Sequence, residues 1–170
     1  MIFSGALPPL HTKSKGHGIS MVKVHPSGML SGILPVVKDG SNADVACDRY
    51  HRYMEDAALM KKLGLNAYRF SISWPRTYPH GHGEVNQKGL DYYSRLVDCL
   101  IENGISPMAT LFHWDLPLAI HQSGGWLNRR SVTWFEQYAR TVIKALGDRV
   151  KYWIPINEPN VHSKLGYRHG

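Results

Sequence analysis

The chain has 170 residues, 43% hydrophobic and 19% charged, a one-domain length with globular composition that excludes a disordered tail. No apolar run approaches the roughly 18 residues of a membrane span. The net charge of +7 hints at an anionic partner, but residues 1–38 carry +4 of it through Lys13, Lys15, Lys23 and Lys38. The other +3 is spread over residues 39–170 without a single-sign run, which reads as a solvated surface with neither nucleic-acid nor membrane binding.

Residues 1–38 show no sustained period of 2 or 3.6 and are broken by Gly, Pro and Ser, so an irregular segment is expected there. Pro, His and Lys interrupt the start where a signal peptide needs a continuous apolar stretch, so a cytoplasmic location is expected. Cys47 and Cys99 make neither a disulfide framework nor a metal-ligand spacing.

From residue 39 onward the pattern changes. The first helix is expected over about 50–63, with Tyr50, Tyr53, Met54, Ala57 and Ala58 on its buried face and Gly64 as the residue that ends it. A strand over 66–73 follows. The second helix, about 87–102, presents Leu90, Tyr93, Leu96, Val97, Leu100 and Ile101 and stops at Gly104; the strand 107–112 comes next. The third, about 130–146, presents Phe135, Tyr138, Ala139, Val142 and Leu146, stops at Gly147 and leads to the strand 150–156. The three glycines lie 40 and 43 residues apart, and helices alternating with strands at that spacing predict parallel strands joined by crossovers. A doubly wound sheet and a (β/α)₈ barrel both fit. No Gly-rich phosphate loop follows any strand, which favours the barrel.

Polar and aromatic residues gather at the ends of these strands: Ser73-Trp74, His113-Trp114-Asp115 and Asn157-Glu158-Pro159. Active sites of (β/α)₈ barrels form at that rim. Aromatic faces pack on the C–H faces of pyranose rings while amide, imidazole and carboxylate groups bond hydroxyls, so a sugar is the expected substrate. Glu158 is the sharpest candidate: beside an amide donor, a partly desolvated strand-end carboxylate suits acid/base work, and Asn157 could bond the sugar 2-hydroxyl. The competing reading makes Glu158-Pro159 the start of a solvated loop.

Asp48, His51 and Glu55 have a spacing that imitates metal ligands, but a helix cap and a packed histidine are the simpler reading, and neither metal nor cofactor is expected. His80-Gly81-His82 reads as a solvated loop. Trp126 and Trp134 fit core or wall as well as sugar platforms. Arg69 reads either as a site residue or as a paired buried arginine.

The stretches DVACDRYHRYMEDAALMKKLGLNAYRFSISWPR, GEVNQKGLDYYSRLVDCLIENGI, TLFHWDLPLAI, GGWLNRR and WIPINEP resemble family 1 glycoside hydrolases, the β-glucosidases, without a gap from about Asp39 to Gly170. The long match outside Asn-Glu-Pro disfavours the related barrel glycosidases, some endo-acting, that share that tripeptide. The resemblance implies a partial (β/α)₈ barrel, about strands 2–4 with their helices, and hydrolysis of terminal β-glucosides or β-galactosides with retention. It implies that Glu158 is the acid/base, that His113 and Trp114 line the glycone subsite, that Asn157 contacts the 2-hydroxyl and that Arg69 sits against the nucleophile. Pro155 departs from the pattern, since the family usually has threonine there, and proline removes a ladder donor.

Two expectations concern what the sequence lacks. The family's nucleophile comes from a T/I-E-N-G motif at a later strand, and these 170 residues contain none; Asp115, the nearest rim carboxylate, is structural in the HWDLP pattern. A chain with one carboxylate of the pair is expected to be inactive alone. The alternative function is a non-catalytic vestigial fragment that binds sugar or complements another chain. The family usually begins near DFLWGxATASYQIEGA, and residues 1–31 read differently. Codons for Met1–Ala6, shifted by two bases, can give DFLWG, and the shifted frame can continue in the family pattern. Residues 1 to about 37 are therefore expected to be an out-of-frame copy of the family N-terminus.

Overall fold

The computed structural model describes residues 48–168, so the expectations for residues 1–38 lie outside the described residues. The chain order is α1 (Arg49–Lys62), β1 (Ala67–Ser71), α2 (Trp74–Thr77), α3 (Gln87–Glu102), β2 (Ser106–Phe112), α4 (Leu118–Gln122), α5 (Ser131–Leu146), β3 (Tyr152–Ile156) and α6 (Pro159–Ser163). A short 3₁₀ turn, Gly125–Leu127, precedes α5, and a π turn, Lys164–Arg168, follows α6. The sequence pattern finds the three long helices and the three strands. It misses α2, α4, α6 and the two turns, because four or five residues are too few to show a 3.6-residue period.

Gly64 and Gly104 end their helices as expected. Both take φ values of +73° and +75°, open to glycine without a Cβ penalty. The N–H of Gly64 donates to Lys61 O and that of Leu65 to Met60 O, both at 3.0 Å. Gly104 and Ile105 repeat the pattern on Ile101 O (2.8 Å) and Leu100 O (2.9 Å), which is the Schellman closure. Gly147 differs: its φ is −70°, and a Cβ there would lie 2.6 Å from Ile143 O. It is used for close approach rather than for a left-handed turn.

The strands are parallel in the order β1-β2-β3, with Arg69 opposite Met108, Ser71 opposite Thr110, Thr110 opposite Ile154 and Phe112 opposite Ile156. α3 connects β1 to β2 and α5 connects β2 to β3, the connection parallel neighbours require. The helix faces differ in part from the periodic reading. Met54 is 59% exposed, Ala58 is exposed and Ile101 is 43% exposed; α1 instead buries Arg49, Ala57 and Met60. Heptad-like spacing fixes the stripe's width only to within one residue per turn, and the neighbouring elements decide its edge. Arg49 is tolerated inside because its guanidinium lies 4.9 Å from the Tyr68 ring centre and 3.5 Å from Asp56.

The core lies between the sheet and α3 and α5. It includes Ile72, Trp74, Val97, Leu100, Phe112, Tyr138, Val142 and Leu146. Each such side chain contributes roughly 1.5–3 kcal/mol of burial. Trp74, placed on the rim by the sequence reading, is fully buried here. It stacks on Tyr138 with ring centres 5.2 Å apart, and its Nε1 donates to Gly81 O at 2.9 Å. The reason is α2: Ser73 ends the strand direction and the chain turns at once into a helix with Pro75 at its start, swinging the indole towards α5. Trp74 is therefore core, not a wall of a cleft.

Candidate active site

β1 carries Arg69 and Ser71 two residues apart and so on one face of the sheet. Arg69 Nε donates to Thr110 Oγ1 at 2.9 Å, and its second terminal nitrogen donates to Asn157 Oδ1. Ser71 Oγ bonds His113 Nδ1 at 2.7 Å. One face of β1 thus gathers Thr110 and His113 from β2 and its end, and Asn157 from the end of β3.

Thr110 and His113 are three residues apart, which strict two-residue alternation forbids on one face. The ladder explains it: pairing between β2 and β3 runs through Thr110–Ile154, omits Leu111–Pro155 and resumes at Phe112–Ile156. Beyond the omitted pair, Phe112 packs against Trp74 and Trp126 while His113 and Asn157 meet Ser71 and Arg69. A local irregularity of this kind re-aims side chains at a strand end. Pro155 occupies it on the edge strand of the described sheet, a position that needs no ladder donor, and Asn157 N–H still reaches Phe112 O at 2.8 Å.

Asn157 is 8% exposed and held from three directions: its N–H by Phe112 O, its side-chain oxygen by Arg69, and its carbonyl by Trp114 Nε1 at 2.8 Å. With Oδ1 engaged by a guanidinium, the amide presents its nitrogen as donor. Trp114 and Glu158 both take positive φ, 71° and 44°. Such conformations are rare for residues with a Cβ and cost of order 1–3 kcal/mol, so the surrounding bonds impose them. Glu158 immediately precedes α6, and its carbonyl accepts the His162 N–H at 2.9 Å. Its side chain is exposed, so the described residues do not build the enclosure that the sequence reading anticipated around the carboxylate.

The structure brings together Arg69, His113, Trp114, Asn157 and the Glu158 backbone. Ser71, Thr110 and Tyr138 are site-supporting residues that the sequence reading omits. Ser71 could have been found from its two-residue spacing to Arg69; Thr110 required the strand register. Tyr138, from α5, reaches Leu111 O at 2.7 Å and Ile72 O at 3.1 Å, tying the upper ends of β1 and β2 together. Burial, aided by the Asp115 charge, pushes the Tyr138 hydroxyl well above its usual range, so it stays a neutral donor.

The remaining candidates resolve simply. Asp48 Oδ1 bonds His51 Nδ1 at 2.7 Å instead of capping a backbone N–H, and Glu55 pairs with Arg52 at 2.8 Å, so the three do not converge. His51 is exposed, with its ring edge-on to Tyr50 at 5.1 Å. His80 and His82 are also exposed, and His82 stacks on Trp134 at 5.0 Å. Trp126 packs against Trp74, Phe112 and Phe135 as part of the core's margin. Among the described residues no helix is long and apolar enough to cross a membrane.

The chain is similar to known proteins in sequence and fold. The chain is 54% identical over 134 residues to β-glucosidase A of Thermotoga maritima, covering 79% of this chain and 30% of the relative. It is 57% identical over 135 residues to coniferin β-glucosidase of Pinus contorta, covering 79% and 26%. It spans less than a third of the length of either. The solved T. maritima β-glucosidase in complex with castanospermine matches with a TM-score of 0.80 at 50% identity, over 88% of this chain and 33% of that one. The fold is a partial (β/α)₈ barrel, three successive strands with their helices. The sequence model of glycosyl hydrolase family 1 matches residues 13–170, and the chain belongs to that family. The match begins upstream of Asp39, within the segment where the sequence shows neither period nor family motif.

Proposed function

We propose that this chain carries the acid/base part of a retaining β-glycosidase site acting on terminal β-glucosides or β-galactosides. The observation that carries the reading is Asn157, fixed by Arg69, Phe112 and Trp114 beside Glu158 at the end of β3. The names of the relatives, all β-glucosidases or a glucan glucohydrolase among those most similar, support it.

In the first step Glu158 gives its proton to the glycosidic oxygen as the bond from C1 to that oxygen breaks and a nucleophilic carboxylate bonds C1. In the second, Glu158 takes a proton from water, whose oxygen bonds C1 as the carboxylate leaves. The Asn157 amide nitrogen donates to the 2-hydroxyl, a bond that strengthens as positive charge grows at C1. His113, steadied by Ser71, and Trp114, steadied by the Asn157 carbonyl, line the glycone side. Arg69 stands beside the nucleophile's place. That nucleophile belongs about 5 Å from Glu158, and the 170 residues do not supply its motif; residues 1 to about 37 are read as the family N-terminus out of frame, which the gene's DNA sequence tests directly.

The 170-residue chain alone is expected to give no measurable aryl β-glucoside hydrolysis. Mixed with a chain carrying the remaining strands of a family member, it should restore turnover, and Glu158→Gln should lower that turnover about 10²–10⁴-fold. Robust turnover insensitive to Glu158→Gln would overturn the assignment.

A further inference from the structure

The imidazole of His162 serves no role in the chemistry above, yet its surroundings are unusual. It sits one turn into α6, four residues after Glu158, and its backbone N–H closes the bond to Glu158 O. Its ring lies edge-on to Phe112 at 5.3 Å and to Tyr167 at 5.8 Å, and is tilted against Trp114 at 5.8 Å. Both ring nitrogens are buried without a hydrogen-bond partner. A cavity of about 310 Å³ opens beside it, between the end of β3 and the π turn. α6 itself buries no residue, and this ring packs it against Phe112 of β2 and against Trp114.

We propose that His162 is a positioning residue whose neutral ring clasps α6 to Phe112 and Trp114 and thereby fixes the Asn157-Glu158 turn, and that protonation opens the clasp. A neutral imidazole tolerates an aromatic nest. An imidazolium brings two charged N–H donors that find no acceptor there, and leaving such groups buried and unpaired is expensive. The adjoining cavity gives the ring space to swing into water. The end of β2 and its turn present Phe112 and Trp114 to the ring, and the π turn presents the titratable Tyr167. Asp115, next to Trp114, acts on Tyr93 and Tyr138, and Glu158, Lys164 and Arg168 are exposed. Burial alone pushes His162 below the usual histidine range. The clasp therefore holds at neutral pH and opens on acidification.

The test uses the full 170-residue chain, titrated from about pH 7.5 to about pH 4.5 and followed by tryptophan emission and by NMR of the His162 ring and the Asn157 and Glu158 amides. The expected result is a red-shifted emission and a movement of both amides that share the His162 midpoint, below the ordinary histidine value of about 6.5. His162→Phe, which keeps the ring and removes the titration, should abolish that shared transition. His162→Gln, which removes the ring, should show the red-shifted emission already at neutral pH. A His162 midpoint at or above the ordinary value, amides that stay fixed while the ring titrates, or a transition that persists in His162→Phe would each overturn the proposal. The role assigned to the turn rests on reading Glu158 as the acid/base. The coupling is read without catalysis, so its absence refutes the clasp alone, whereas Glu158-independent turnover refutes the acid/base reading alone.

Discussion

The two sides of the sheet are built to different standards. On the β1–β2 side, β2 buries Pro107 and then Ala109 through Phe112, α3 buries seven residues, and Trp74, Tyr78 and Tyr138 are almost wholly enclosed. On the β3 side, Tyr152 is 58% exposed, Leu165 46% and Tyr167 43%, and α6 buries nothing. The residues that hold the site, Arg69, Ser71 and Thr110, stand on the firm side. The proposed acid/base stands on the other. Segments with few buried contacts open at low free energy while core segments open only with the whole fold, so the two sides differ in local stability.

The sharpest way to break this comparison is to empty its firm side. Trp74→Ala removes a fully buried indole and its bond to Gly81 O, and should cost about 3–5 kcal/mol in urea unfolding. A loss under about 1 kcal/mol would show the β1–β2 side to be soft as well. Gly89→Ala comes next. Gly89 lies in the first turn of α3, and alanine inside a helix is ordinarily favoured over glycine by up to about 1 kcal/mol. Here its Cβ would lie 2.2 Å from the Arg76 carbonyl, where α2 crosses α3. The substitution should therefore reverse sign and cost about 1–3 kcal/mol; a raised melting temperature would refute that close contact.

Acidification acts on the other side. His162 has a folded pKa below its unfolded value of about 6.5, so above that pH both states are neutral and its contribution is constant. As pH falls below it, the undocked ring binds the proton first, and docking of α6 weakens down to the lower folded value. Amide exchange over residues 159–168 should then accelerate on lowering the pH through this window, while exchange in β2 changes far less. Equal acceleration in both would erase the distinction. The smallest effect is expected for Leu165→Ala, within about 0.5 kcal/mol, since the side chain is 46% exposed.

Local chemistry was readable from the chain itself: three amphipathic helices, two of them closed by glycines at positive φ, and strands that end in His113-Trp114 and Asn157-Glu158. These features depend on neighbours within a few residues, so their spacing reveals them. The family motifs likewise lie in short contiguous stretches. Three things depended on contacts between distant segments. Trp74 looked like a rim residue until α2 turned it into the core. Met54, Ala58 and Ile101 had the right spacing for burial, but among the described residues nothing packs over them closely enough. The three-residue step from Thr110 to His113 broke the alternation that a strand reading assumes, because the ladder to β3 omits the Leu111–Pro155 pair.

The sequence by itself determined the repeating helix–strand unit, the residues available for acid/base and sugar-binding work, and the family, because periodicity, capping and motif are written in adjacent residues. Only the tertiary structure decided that Arg69 grips Asn157 across 88 positions, that Tyr138 ties Ile72 and Leu111 together, and that His162 lies among aromatic rings without a partner. Each is a meeting of side chains from different elements, set by strand register and helix packing, which no local pattern encodes.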